Sequence, residues 1–267
     1  HDENLSKNNN QSCASCHTRS AGFADPDNRQ GRFLSPVSKG SDPTLFGGRN
    51  APTAAYAGFS PVFEWNAVDE LYIGGLFWDG RATGKTLNDP LTEQAQGPFF
   101  NPVEMALTQA SGDPKGKEVV NRVMQSSYRG LFKKACGDPA TFAEFEAAFD
   151  CIGKAVAAFE RTDHFSRFNS MFDAFQLEQG GDVSSFGVDA NGNYVGVPEH
   201  FQSWFLNETQ AKGLALFNAV DKGKCALCHP TGNHDENAPP LLTDFSFDNL
   251  GIPFNPRIAA MGGPQPI

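Results

Sequence analysis

Apolar positions recur in steps of three and four at Phe142, Phe145, Phe149, Ile152, Val156 and Phe159, which sets them in one stripe along an amphipathic helix. Asp138-Pro139 supplies a start signal for it. A second helical pattern runs from about Lys117 to Ala135 through Val120, Val123, Met124, Leu131 and Phe132. Upstream, from the Asn-rich opening ENLSKNNNQS to about residue 114, Gly and Pro breakers predict a loop-rich stretch that resists long helices. Residues 177–206 read as a linker, because Gly180, Gly181, Gly187, Gly192 and Gly196 interrupt any period. Within it, Asp189, Asn191 and Asn193 imitate the opening of a calcium loop. Tyr194 stands where that loop needs glycine and His200 where it needs its last carboxylate, so a solvated turn is expected. Asn207 and Gln210 then open a helix with Ala211, Leu214 and Phe217 on one face. The pattern predicts a mainly α fold with long irregular loops, divided as 1–176, a linker at 177–206, and 207–267.

Composition narrows the class. With 267 residues and 39% hydrophobic content the chain has material for a packed core. No run approaches the ~20 apolar residues of a membrane-spanning helix. The net charge of −10 argues against nucleic acid or an anionic membrane surface as partner, whereas a basic protein would be attracted. The 24 phenylalanines read first as core, and second as lining for a large flat prosthetic group. The chain begins at His1 without Met, so either a leader has been removed or the sequence starts inside a longer protein.

Six cysteines carry the chemistry. Cys13 and Cys16 precede His17 in CASCH, and Cys225 and Cys228 precede His229 in CALCH. Two thiols one helical turn apart add to the two vinyl groups of a haem, and the following histidine offers a ring nitrogen to its iron. A zinc ribbon would hold its C-x-x-C pairs about 15 to 20 residues apart and needs no histidine after each. A thioredoxin-like pair would want a βαβ setting that neither flank supplies. The motifs therefore predict two covalently bound haem c groups, on Cys13, Cys16, His17 and on Cys225, Cys228, His229, and two cytochrome c-like domains. Cys136 and Cys151 are candidates for a disulfide in an oxidising compartment, with two buried thiols as the alternative.

Between and after the motifs come GRNAPTAAY, LFWDGRA, LTEQAQGPFFNPVEMA, AVAAFERT and FSFDNLGIPFNP. In this order they resemble the bacterial diheme cytochrome c peroxidase and MauG family. The resemblance implies that the first haem is the peroxidatic one. It implies a distal pocket of Gln94, Pro98 and Glu104, with the carboxylate moving the proton of bound peroxide and the amide orienting it. Trp78, in LFWDGRA, matches the tryptophan that relays electrons between the haems, and Asn50, in GRNAPT, matches a side chain that helps hold a calcium ion. Without the resemblance, Glu104 would read as a surface carboxylate and Trp78 as a structural ring.

Three departures shape the expected function. The stretch SKGSDPTLFGG lacks the histidine with which peroxidases of this family cap the first iron, which favours an iron open at rest, as in MauG-like members. Extra residues around TGKTLNDP lie between Trp78 and Gln94. The chain also stops soon after DNLGIPFNP, implying a family-sized protein that continues beyond it and a C-terminal domain left incomplete. The expected activity is reaction with hydrogen peroxide at the first haem, with electrons passing through the second. The oxidising power is spent either on electrons from a small cytochrome or copper protein, with water as product, or on a side chain of a partner protein. A non-catalytic diheme electron carrier is the alternative; a carrier needs no proton-handling pair such as Gln94 and Glu104. Haem attachment and a disulfide both imply a periplasmic or secreted protein.

Overall fold

The computed structural model describes residues 1–29, 35–234 and 239–261. In chain order the helices are α1 (Cys13–Cys16), α2 (Pro26–Arg29), α3 (Pro90–Phe100), α4 (Lys117–Gln125), α5 (Arg129–Cys136), α6 (Phe142–Glu160), α7 (Met171–Glu178), α8 (Glu208–Asn218) and α9 (Pro256–Ala260). The strands are short: β1 (Glu64–Asn66), β2 (Leu71–Ile73), β3 (Gly187–Val188) and β4 (Tyr194–Val195). The fold is mainly α, as the sequence indicated. Two compact units form, one from His1–Asn66, Gly74–Ser166 and the stretch from Asp248, the other from Ala67–Ile73 and Arg167–Phe247.

The core of the first unit is built on α3, α4, α5 and α6, with Phe99, Met105, Val119, Val120, Val123, Phe132, Phe149 and Ile152 buried together. The long amphipathic helix is α6, though it starts three residues beyond Asp138-Pro139. The Thr141 hydroxyl accepts the Glu144 N–H at 3.3 Å and the Glu144 carboxylate accepts the Thr141 N–H at 2.8 Å, a reciprocal cap stronger than the proline signal. Only the middle of its apolar stripe is buried; Phe142 and Phe159 at the two ends are exposed. The span expected as one helix from Lys117 to Ala135 is two, because the Ser126 N–H and hydroxyl both turn back onto the Val123 carbonyl, at 3.0 and 2.7 Å. Gly116, before α4, has φ +79°, and a Cβ there would lie 2.0 Å from Phe149 Cγ. Only glycine meets both demands.

One helix stands where none of length was expected. In α3, Asp89 caps the N-terminus by accepting the Leu91 N–H at 3.1 Å, and Pro90 occupies the first turn, where its missing N–H costs nothing. Leu91, Thr92, Ala95, Gln96 and Phe99 form the buried face, so tertiary burial outweighs the breakers Gly97 and Pro98. The disulfide Cys136–Cys151 joins the end of α5 to α6. Arg122 on α4 holds the N-terminal segment, donating to the carbonyl of Ser6 at 2.9 Å and to Asn9 Oδ1 at 3.2 Å. That segment leads straight into the first haem motif.

In the second unit, Phe175, Val183, Phe186, Val197, Ala211 and Ala215 share a core. Residues 177–206, expected as a linker, are thus folded into it. Val183, Phe186 and Val197 are buried there from irregular backbone rather than from a helix face, which a periodicity test misses. β3 and β4 pair antiparallel with Gly187 opposite Val195, and Asp189 closes their turn by accepting the N–H groups of Asn191 and Asn193 at 2.9 and 2.8 Å. This is the solvated turn read from the sequence. Asn207 and Gln210 cap α8 reciprocally, as expected, and bury Ala211 and Ala215.

Candidate haem sites

Both C-x-x-C-H motifs adopt one local geometry. In α1 the His17 N–H donates to the Cys13 carbonyl at 2.9 Å, and in a short 3₁₀ turn at Cys225–Leu227 the His229 N–H donates to the Cys225 carbonyl, also at 2.9 Å. Each histidine ring is then fixed by a backbone carbonyl: His17 Nδ1 lies 3.0 Å from the Phe23 oxygen and His229 Nδ1 lies 2.8 Å from the Leu242 oxygen. A carbonyl only accepts, so Nδ1 carries the hydrogen in both rings and Nε2 keeps the lone pair that iron requires. Burial lowers the His17 pKa, against the pull of the Phe23 carbonyl, the Asp25 charge and the Pro52 carbonyl, which favours the neutral, ligating form.

Neither cysteine pair is closed as a disulfide. Burial, reinforced by the Asp25 carboxylate, pushes the Cys16 thiol up to about 12. Among the described residues no three or more His, Cys, Asp or Glu side chains are grouped to hold a metal ion. The Asn50 backbone carbonyl accepts the Trp78 indole N–H at 2.7 Å.

The first unit encloses a cavity of about 380 Å³ whose wall includes Cys13, Cys16, His17, Asn50, Trp78, Gln94, Pro98 and Glu104. Every residue the sequence singled out for the first haem thus meets in one space. Gln94 and Pro98 come from α3, four residues apart and so on one helix face. Glu104 follows α3 on a turn fixed by the bond from its own N–H to the Asn101 carbonyl at 3.0 Å. Its carboxylate accepts from Asn101 Nδ2. Burial raises the Glu104 pKa, opposed by the Arg81 charge and the Asn101 amide. Trp78 is 57% exposed on the turn Leu76–Ala82.

Several lining residues escaped the sequence reading. Gln11 is 6% exposed and donates to Lys39 O at 2.7 Å and Cys16 Sγ at 3.5 Å, while its Oε1 is buried with no partner. An orphaned acceptor and two thiols facing a cavity with a poised imidazole fit a bound haem c. Glu160, at the end of α6, also lines the cavity, and burial pushes its carboxyl up to about 7 against the Arg161 charge. Arg81 and Glu160 lie inside LFWDGRA and AVAAFERT, the strings that carried the resemblance, whereas Gln11 had only its closeness to CASCH.

Around the second motif Val220, Leu227 and Leu242 are exposed apolar groups, an arrangement suited to covering by a flat apolar cofactor. Phe217 stands 6.5 Å from His229, ring centroid to ring centroid. Each motif thus presents the two thiols and the imidazole that a covalently bound haem c requires.

The chain is similar to the methylamine utilization protein MauG of Paracoccus denitrificans, 33% identical over 257 residues covering 95% of this chain and 55% of that protein. It is also similar to the cytochrome c peroxidase Ccp of Escherichia coli, 29% identical over 94% of this chain and 40% of that one. Among solved structures, the diheme peroxidase BthA from Burkholderia thailandensis superposes with a TM-score of 0.71 at 28% identity, over 95% of this chain and 52% of that one. The chain thus spans about half the length of these relatives. The family model described as di-haem cytochrome c peroxidase matches residues 1–181, and the chain belongs to that family.

Proposed function

We propose that the protein reacts with hydrogen peroxide in the cavity beside His17 and exchanges electrons with the haem on His229 by way of Trp78. One observation carries this reading: the haem-attachment residues and the pair Gln94 and Glu104 line a single cavity. The bound haems supply the electron-transfer chemistry. The polypeptide handles protons and orientation. Asn101 occupies one oxygen of the Glu104 carboxylate, and burial raises its pKa and so favours the protonated form, which suits the group to exchange a proton with a small oxidant. The Gln94 side chain makes no hydrogen bond among the described residues and lines the cavity, where its amide can orient a small oxidant. Trp78 contributes an oxidisable ring held in place through its indole N–H.

The segment Ser38 to Arg49 on the cavity wall brings no histidine to it. A first haem left uncapped by this segment would favour the MauG-like branch, in which the oxidising equivalents are passed to a side chain of a partner protein. In the peroxidase branch they are met by electrons from a small cytochrome or copper protein. The described residues contain no helix long and apolar enough to cross a membrane. Covalent haem and the Cys136–Cys151 disulfide support a periplasmic or secreted location.

Replacing Glu104 by Gln keeps the shape and removes the exchangeable proton. Stopped-flow mixing with peroxide is expected to show a first-haem reaction slowed by ~10²-fold. A rate equal to wild type, with both haems loaded, would remove Glu104 from this role.

A further inference from the structure

Glu93 lies next to Gln94 on α3 and does not line the cavity. Its carboxylate is instead caged by the loop that follows the tryptophan turn. Oε2 accepts the Gly84 N–H at 2.8 Å and the Thr83 hydroxyl at 3.4 Å; Oε1 accepts the Thr86 and Leu87 N–H groups at 2.7 and 2.9 Å. Burial works against ionisation of this group, yet the backbone donors of Leu87, Gly84 and Thr86, with Thr83, hold its carboxyl below the ordinary range. The loop is the run around TGKTLNDP that is extra relative to the family pattern.

The same helix grips the turn a second time. The Leu76 N–H donates to the Ala82 carbonyl at 2.9 Å and closes a turn bearing Phe77, Trp78 and Arg81. The Arg81 guanidinium lies 3.7 Å above the centre of the Phe77 ring, and Phe77 rests on Gly97, where an added Cβ would come 2.8 Å from Phe77 Cζ. Glu93 and Gly97 are four residues apart, as are Gln94 and Pro98 one position on. One pair of α3 positions grips the turn, and the neighbouring pair faces the cavity.

We propose that Glu93, with Gly97, is a positioning residue that fixes Trp78 and Arg81 relative to Gln94, so that the extra loop serves as a clamp between the electron relay and the peroxide pocket. This rests on the reading of Trp78 as the relay. A neutral amide at position 93 accepts weakly through one oxygen and brings two donors of its own against the loop N–H groups, so Glu93→Gln opens the clamp while keeping side-chain size.

The test uses the full haem-loaded chain as wild type, Glu93→Gln, Gly97→Ala, Trp78→Phe and Glu93→Gln combined with Trp78→Phe. Hydrogen exchange is followed at the amides of Gly84, Thr86 and Leu87 and at the Trp78 indole N–H, and electron exchange between the haems is followed after rapid mixing with reductant. Glu93→Gln is expected to speed exchange at the three amides and the indole by ~10-fold or more and to slow inter-haem electron exchange at least ~3-fold, with haem content unchanged. Gly97→Ala is expected to act in the same direction from the Phe77 side, and it decides the matter if Glu93→Gln does not fold. On the Trp78→Phe background Glu93→Gln is expected to add nothing. Released loop amides with wild-type indole protection and wild-type electron exchange would overturn the clamp, as would an equal further slowing on the Trp78→Phe background. Wild-type electron exchange in Trp78→Phe itself would overturn the relay reading alone, leaving the indole protection to decide the clamp.

Discussion

Asp89 joins the helix that carries Gln94 and Pro98 to the end of the helix that carries Glu160. Its carboxylate takes both ends of the Arg161 guanidinium, at 2.7 and 3.0 Å, the Thr92 hydroxyl at 2.6 Å and the Leu91 N–H at 3.1 Å. Burial opposes the charge, but Arg161, Thr92 and the Leu91 N–H outweigh it and bring the carboxyl from 3.8 down to about 2. At ~1.4 kcal/mol per tenfold change in acidity this is an upper figure of ~2.5 kcal/mol. The two side chains are 21% and 42% exposed, so solvent screening reduces it to ~1 kcal/mol. Asp89→Asn keeps an oxygen for the Leu91 cap and removes the charge, and is expected to cost ~1 kcal/mol at pH 7. A carboxyl whose folded value is depressed stabilises the fold above its unfolded value and loses that contribution as pH falls through the folded one. The gap between wild type and variant should therefore be constant from pH 7 to 5 and close between about pH 4 and 2. Urea unfolding followed by far-ultraviolet circular dichroism measures it at each pH. A gap below ~0.3 kcal/mol at pH 7, or one still undiminished at pH 2.5, would refute the assignment.

Two further perturbations test the scaffold. Gly116→Ala meets both a left-handed backbone and the Phe149 ring and should cost ~2–4 kcal/mol, whereas Gly112→Ala, at φ +86° with open space around it, should cost only ~1 kcal/mol; equal losses in denaturant melts would contradict the packing argument. Cys136→Ser opens a bridge between residues 15 apart and should lower the unfolding free energy by ~3 kcal/mol, and a thiol reductant should bring wild type to the same level because thioethers resist it; a wild type indifferent to reductant would refute the linkage.

The haem motifs were legible because their chemistry is local. Cys13, Cys16 and His17, like Cys225, Cys228 and His229, need only one turn of chain to present two thiols and an imidazole, so spacing alone specifies them. The caps of α8 and the Asp189 turn were legible for the same reason: each is a bond between residues a few positions apart. Gln94, Trp78 and Glu104 were reached through resemblance, since nothing in an isolated glutamine, tryptophan or glutamate marks it as lining a cavity.

What the sequence determined by itself was the pair of C-x-x-C-H motifs and the helical character, because covalent spacing and hydrophobic period act over a few residues. The tertiary structure alone decided that α3 persists through Gly97 and Pro98, that Val183, Phe186 and Val197 pack into a core, and that the Gly84, Thr86 and Leu87 N–H groups close on Glu93. In each case the deciding energy is burial or hydrogen bonding between segments distant in sequence or free of any period, and that energy exists only once the chain has closed on itself.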